Sequence, residues 1–289
     1  MLSRLPCELL LAIAAFITKD EDLNSLARTS KRLHALINPH LYRFSRNSLI
    51  LLLAVRRGNA ATVRNIIRYG LGGNRNPLDP CDFQHRTPLS HAAEDGNAVI
   101  VKMLLDTGKV DVNSQDEYGR TPLSYASAEG REAVVEMLVG TGKVSVDLQD
   151  DAGRTPLSWA SERGHEAVVR MLLDTGKVYV NSQADYGYYN RTPLSWASLE
   201  GHEGVVKMLL GTGKVDVDYR DRFGRTPLSM AASGGHEAVV KMLLDTGKVD
   251  VSSQEDDGRT LLSLASWRGN EAVVKMLLAT GKVEANLQN

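Results

Sequence analysis

The motif Thr-Pro-Leu-Ser starts at Thr87, Thr121, Thr155, Thr192 and Thr226, and a sixth copy at Thr260 reads Thr-Leu-Leu-Ser, so the steps are 34, 34, 37, 34 and 34 residues. No other feature constrains the fold as much. A unit of this size cannot bury its own apolar side, so it stacks on its neighbours in a linear array instead of surrounding one central core. A chain of 289 residues would otherwise be read as about two compact domains. The period overrides that prior for everything behind the first 48 residues.

The unit follows from local chemistry. Thr155 before Pro156 is a helix start: Thr caps the exposed amides, and Pro at the first helical position needs no hydrogen-bond partner for its nitrogen. Gly164 ends that helix, whose face of Leu157, Ala160 and Ser161 is small enough for close approach of a second helix. From Glu166 to Asp174 the apolar residues Val168, Val169, Met171, Leu172 and Leu173 recur at helical spacing, and Gly176 supplies the stop. Lys177 suits the negative end of that helix. Val178-Tyr179-Val180 then alternates, and Asp-x-x-Gly-Arg turns the chain into the next Thr-Pro cap. Each unit is therefore expected to be a helix pair plus a hairpin-like finger.

The consensus Gly-Arg-Thr-Pro-Leu-Ser-x-Ala-Ser-x-x-Gly-His-Glu-x-Val-Val-x-Met-Leu-Leu resembles the ankyrin repeat. The resemblance implies an all-α solenoid over residues 49–289, of about seven units starting near 49, 87, 121, 155, 192, 226 and 260. One departure recurs: Ser90, Ser124 and Ser158 stand where the family carries a histidine. The hydrogen bonds of that imidazole must then be made by hydroxyls or lost.

Residues 1–48 read differently. Leu5, Leu9, Leu10, Ile13 and Ile17 fall at helical spacing around Pro6 and Glu8. Thr18-Lys19-Asp20-Glu21 matches a capping box ahead of Leu23, Leu26 and Ala27, and Ser30 caps a third helix with Leu33, Leu36 and Ile37 that ends at Pro39. The ordered set resembles an F-box. That resemblance implies docking on a Skp-type adaptor of a cullin-RING ubiquitin ligase through Leu5, Pro6, Leu9, Leu10, Ile13, Leu23, Leu26 and Leu33, with the repeats holding an unknown protein target. Size also calls for a partner, since a segment of about 40 residues seldom buries enough apolar surface to fold alone. The alternative is a plain ankyrin scaffold or inhibitor whose N-terminal helices only cap the array.

Charge and cysteine content narrow the function. Lys plus Arg (34) nearly cancels Asp plus Glu (35), which gives no nucleic-acid footprint. The periodic arginines Arg86, Arg120, Arg154, Arg191, Arg225 and Arg259 imitate a phosphate-binding stripe, but Asp116, Asp150 and Asp221 stand four residues before theirs and are expected to neutralise them. Cys7 and Cys81 are too few and too far apart for a disulfide framework, which points to an intracellular location, cytoplasmic or nuclear. The apolar runs are too short for a membrane span, and acidic residues close behind the first helix speak against a signal peptide. His165-Glu166 and His202-Glu203 lack the second histidine four residues on that a zinc protease needs, because Val169 and Val206 stand there. Gly-Thr-Gly-Lys at Gly140 and Gly211 has Val144 and Val215 in place of the magnesium-binding hydroxyl. No catalytic, metal or cofactor site is expected.

Specificity should lie where the copies disagree. From helix-ending Gly to Thr-Pro takes 13 residues from Gly142 to Thr155, but 16 from Gly176 to Thr192 and 17 from Gly70 to Thr87. The first long finger carries Tyr186, Tyr188 and Tyr189, side chains that offer contact area at small entropic loss. By resemblance, turn positions and first-helix ends line a concave face. The candidates there for target binding are Tyr118, Arg222 and Phe223 on fingers and Arg163, Trp267 and Arg268 at helix ends, beside Glu129 and Glu200. Trp159 and Trp196 are expected to pack between neighbouring first helices, with partial exposure left open.

Overall fold

The computed structural model describes residues 48–70, 80–185 and 189–282, so the residues read as adaptor-docking, together with Tyr186 and Tyr188, lie outside the described residues. The described chain is a succession of helix pairs: α1 (Ser48–Arg56) with α2 (Ala60–Gly70), α3 (Pro88–Asp95) with α4 (Ala98–Asp106), α5 (Pro122–Ala128) with α6 (Glu132–Gly140), α7 (Pro156–Glu162) with α8 (Glu166–Asp174), α9 (Pro193–Glu200) with α10 (Glu203–Gly211), α11 (Pro227–Gly234) with α12 (Glu237–Asp245), and α13 (Leu261–Trp267) with α14 (Glu271–Ala279). Among the described residues there is no strand, only isolated bridges at finger bases, Ala184 with Arg191 and Gln254 with Thr260. The all-α solenoid reading stands.

Each first helix opens as its sequence dictates. Thr155 has an extended backbone and its hydroxyl accepts from the Ser158 amide, with Pro156 at the first position; the same cap recurs at Thr87, Thr121, Thr192 and Thr226. Replacing such a cap typically costs about 1 kcal/mol. The core is as periodic as the sequence. In an internal unit Leu194 and Ala197 of the first helix meet Val205, Val206 and Leu209 of the second, all essentially without solvent contact. One continuous apolar seam runs from Leu51 to Leu277.

First helices pack on one another more extensively than second helices do. The cause is side-chain size: Ala and Ser occupy the inner layer, where Ala126, Ser127, Ala160 and Ser161 are fully buried. A stack whose one layer approaches more closely than the other bends toward that layer. The first-helix side is therefore the inner, concave side.

The serines that replace the expected histidine do make bonds. Thr155 Oγ1 lies 3.1 Å from Ser158 Oγ and 3.2 Å from Ser182 Oγ of the next finger, and Thr87 does the same with Ser90 and Ser114. Hydroxyl chains thus carry the link between units. The histidines before the second helices supply another: His165, His202 and His236 donate through Nε2 to the carbonyls of Ala128, Glu162 and Leu199, at 3.0, 2.9 and 2.9 Å. None of them caps its own helix. Each satisfies an orphan carbonyl at the end of the preceding first helix.

Candidate functional site

The inner face is built from finger turns and the ends of first helices, and the turns are held by a buried carboxylate. Asp221 Oδ1 accepts from the amides of Phe223 (2.9 Å) and Arg225 (3.0 Å). Asp116 and Asp150 hold their turns in the same way. Successive fingers are joined by one backbone bond each: Asp151 N donates to Tyr118 O at 3.0 Å, Asp185 N to Ala152 O at 2.8 Å, Arg222 N to Tyr189 O at 3.0 Å and Asp256 N to Phe223 O at 3.1 Å.

This register locates the insertion. Asp185 occupies the donor position of its finger and Tyr189 the acceptor position, so the insertion falls between these two positions of the sequence. Asn190 takes the left-handed conformation (φ 55°) that glycine has in most of the turns, such as Gly153 and Gly224, and His85 (φ 59°) in the turn of residues 82–86. Asparagine tolerates that region better than most residues, and its Nδ2 donates to Tyr219 Oη at 2.7 Å.

The arginines behind the turns are interior groups. Arg154 is fully buried and Arg191 nearly so. Their guanidinium planes alternate with aromatic rings: Arg154 stands 3.7 Å from the Trp159 ring and 4.9 Å from Trp196, and Arg191 lies 4.6 Å from Trp196 and 4.4 Å from Tyr189. Arg225 continues the series over Tyr189 and Phe223 at 5.2 and 5.0 Å. Cation–π contacts contribute about 0.5–2 kcal/mol each, more when desolvated. The expectation of local carboxylate pairing holds at Asp116 with Arg120 and Asp221 with Arg225. At Arg154 the guanidinium reaches Glu162 at the end of α7, while Asp150 Oδ2 accepts from Trp159 Nε1 at 3.1 Å. Finger and helix end are tied together there, which makes them one surface.

The inserted finger departs from this scheme. Ala184 stands where the other turns have Asp or Glu, so Arg191 lacks a carboxylate in its own turn and its Nε lies 3.5 Å from Asp221 Oδ2 of the next finger. One buried carboxylate serves two arginines. Burial, and then the neighbouring Arg225, lowers the pKa of Arg191 from its ordinary value. Burial raises the carboxyl of Asp150, against the hydrogen bonds it accepts. Tyr125, whose hydroxyl donates to Asp116 Oδ2 at 2.5 Å, is pushed up by burial and by that bond.

The residues singled out for target binding fall as follows. Tyr118 and Phe223 are exposed at finger tips, and Trp267 is 72 % exposed at the end of α13, with the Arg268 guanidinium 4.7 Å from its ring. Arg163 is exposed and pairs with Glu129 at 3.0 Å, and Arg222 pairs with Asp185 at 3.7 Å. Tyr189 is half-buried beneath its neighbours, with its ring 5.7 Å from Phe223. It therefore fixes the finger as well as displaying it. Trp196 is buried and Trp159 half-buried, so packing accounts for both. Sequence reasoning passed over Phe83, which is 85 % exposed. It also missed a groove of about 400 Å³ lined by Tyr189, Phe223, Arg225, Glu255, Asp256, Asp257 and Arg259. The signal for Phe83 was in the alignment of turns, since it occupies the position of Glu117 and Arg222.

Among the described residues no group of three or more His, Cys, Asp or Glu side chains is placed to hold a metal ion, and no helix is long and apolar enough to cross a membrane. The site offers a long, polar and aromatic surface for contact.

Comparison with known proteins agrees with this geometry. A model of ankyrin repeats matches in three successive stretches, residues 51–150, 140–221 and 213–289, and an F-box-like model matches residues 2–47. Among solved structures, the human ASB11 ankyrin repeat domain is similar at TM-score 0.67 and 26 % identity, covering 79 % of this chain and 96 % of its own. The ankyrin repeat domain of Bcl-3, a member of the IkappaB protein family, is similar in fold at TM-score 0.65 and 24 % identity, covering 79 % and 97 %. No curated protein sequence matches significantly.

Proposed function

The chain belongs to the ankyrin-repeat family and carries an F-box-like segment ahead of its array, and from that premise we propose that it is a substrate receptor of a Skp/cullin/F-box-type ubiquitin ligase. The observation that carries the reading is the order of the two modules: a docking segment at residues 2–47 followed at once by repeats over 51–289. Both families are interaction modules without chemistry of their own, so the chain is a protein-interaction adaptor. In the proposed role Leu5, Pro6, Leu9, Leu10 and Ile13 seat on the Skp-type adaptor, with Leu23, Leu26 and Leu33 completing the contact. The inner face of fingers and first-helix ends holds a target protein, and other subunits transfer ubiquitin to it.

Physical chemistry supports the division of labour. Leucines at helical spacing in a short segment need a covering surface, whereas the array stabilises itself through neighbour contacts. The test is co-purification of the tagged full chain with a Skp-type adaptor. The wild type is expected to retain the adaptor, and the double substitution Leu9→Ala, Leu10→Ala to lose it with the thermal unfolding of the array unchanged. Retention of the adaptor by the double variant would refute the assignment.

A further inference from the structure

We propose that the target presents an arginine or lysine side chain to the inner face, and that this side chain enters the groove between the finger of residues 221–225 and that of residues 255–259. The proposal rests on the receptor reading above and specifies the chemistry of what is received.

The groove combines aromatic walls with an unbalanced acidic rim. Phe223 is exposed and Tyr189 stands behind it; ring faces attract cations, more strongly where water is displaced. The groove's own cations are already engaged. Arg225 bonds Asp221 at 2.8 Å, and Arg259 reaches Glu255 at 3.2 Å and Asp257 at 2.6 Å. Glu255 is buried and also accepts from Ser229 Oγ at 3.1 Å. Asp256 is different: it is exposed, it forms no ion pair among the described residues, and its carboxylate lies across Gly224 beside Phe223, where a Cβ on that glycine would meet Oδ1 at 2.6 Å. A carboxylate at the mouth of an aromatic groove fits an incoming cation.

The same imbalance extends along the face. Of the exposed cations of this surface, Arg163 and Arg222 are taken by Glu129 and Asp185, and Arg268 lies over the Trp267 ring at the far end. Glu117, Asp151 and Glu200 are exposed without an ion pair among the described residues. The chain as a whole is almost neutral, at −1, so the excess negative charge is a property of this face and not of composition. An acidic segment would meet repulsion from Asp256 and Asp151. An apolar side chain seated in the groove would strip water from Asp256 without replacing its bonds.

The experiment selects peptides of about 12 residues from a random displayed library on the full-length protein, then measures the best binders by fluorescence anisotropy; a rim ion pair predicts roughly threefold weakening by Asp256→Asn and more than about tenfold by Asp256→Lys, together with weakening by added salt. Arginine and lysine are expected to be enriched in the selected peptides. Phe223→Ala should weaken binding by about tenfold as a lost aromatic anchor, whereas Glu271→Gln on the outer helix α14 should leave it unchanged. Selection of acidic or apolar sequences, failure to select any peptide, or affinity indifferent to both Asp256 substitutions would overturn the inference. Adaptor capture through Leu9 and Leu10 is measured on the same protein. If capture succeeds while basic peptides are rejected, the receptor reading survives and only this inference falls.

Discussion

Asp221 carries more of the array's electrostatics than its place in one turn implies. Its side chain is fully buried and meets Arg225 at 2.8 Å and Arg191 at 3.5 Å. A unit charge pair at 3.5 Å is worth about 5 kcal/mol at an effective dielectric near 20. Arg225 is partly exposed, so its share is discounted for screening. Arg191 is not, because its side chain is only 5 % exposed. The substitution Asp221→Asn keeps the size of the side chain and one oxygen for the turn amides, but leaves two neighbouring guanidinium groups without their shared carboxylate. Breaking a buried pair in this way costs about 3–5 kcal/mol. The matched control is Asp116→Asn, where one guanidinium, Arg120, is paired and is 29 % exposed, the other partner being the neutral Tyr125 hydroxyl, and the loss should be about 1–2 kcal/mol. Urea unfolding of both variants, with amide exchange to locate the damage, gives the comparison. Loss of protection should centre on α9 and α11 with their fingers, since units of an array couple mainly to neighbours. A second substitution, Ala184→Asp, restores a carboxylate to the Arg191 turn and should recover part of the loss. Equal effects at Asp221 and Asp116, or a loss below about 1 kcal/mol, would refute the shared-carboxylate argument.

Two other perturbations follow from the interunit contacts. Gly164 has φ 74° and a Cβ there would lie 2.5 Å from His202 Nδ1, so Gly164→Ala combines left-handed strain with displacement of the histidine latch and should cost about 2–3 kcal/mol by thermal or urea unfolding; a loss under about 0.5 kcal/mol would show that the latch moves freely. His91, whose Nε2 bonds Asp82 Oδ2 at 2.9 Å, has its pKa lowered from 6.5 chiefly by burial and then by Arg86. The unfolded chain therefore takes the proton first, and the contribution is fully present above pH 6.5 and lost as pH falls through the lowered folded value. Asp82 adds in the same direction at lower pH: burial opposes its ionisation, but bonds from the Arg86 amide and His91 hold its pKa below the usual value. His91→Tyr, which copies the Tyr125 and Asp116 pair of the next unit, should flatten the fall in unfolding free energy between pH 7.5 and 5.5, and an unchanged slope would place the titration elsewhere.

The helices and their order were legible because the apolar pattern and the Thr-Pro caps state them directly; the second helix read from Glu166 to Asp174 has those bounds. The inner face was less so, for three physical reasons. Arg154 and Arg191 belong to a residue type that is seldom buried, and only the alternation of arginine with Trp159, Trp196 and Tyr189 explains their place. His165 and His202 invite a metal-motif reading, although the recurrence of His165, His202 and His236 before successive second helices, with Asn270 doing the same by donating to Ala232 O at 2.8 Å, is the signature of a donor shared between units. The groove at Phe223 and Asp256 spans two fingers, and a pattern read one unit at a time does not place residues of neighbouring units side by side.

The single backbone bond between neighbouring fingers has a practical consequence. Its donor and acceptor are adjacent residues in an ordinary turn, yet in the long finger they are Asp185 and Tyr189, and the bonds on both sides are kept at 2.8 and 3.0 Å. Chain length is therefore free to change between those two positions without disturbing the stacking order. Each finger tip is a splice site, at which a peptide can be inserted to display a new surface on the inner face while the helices beneath keep their register.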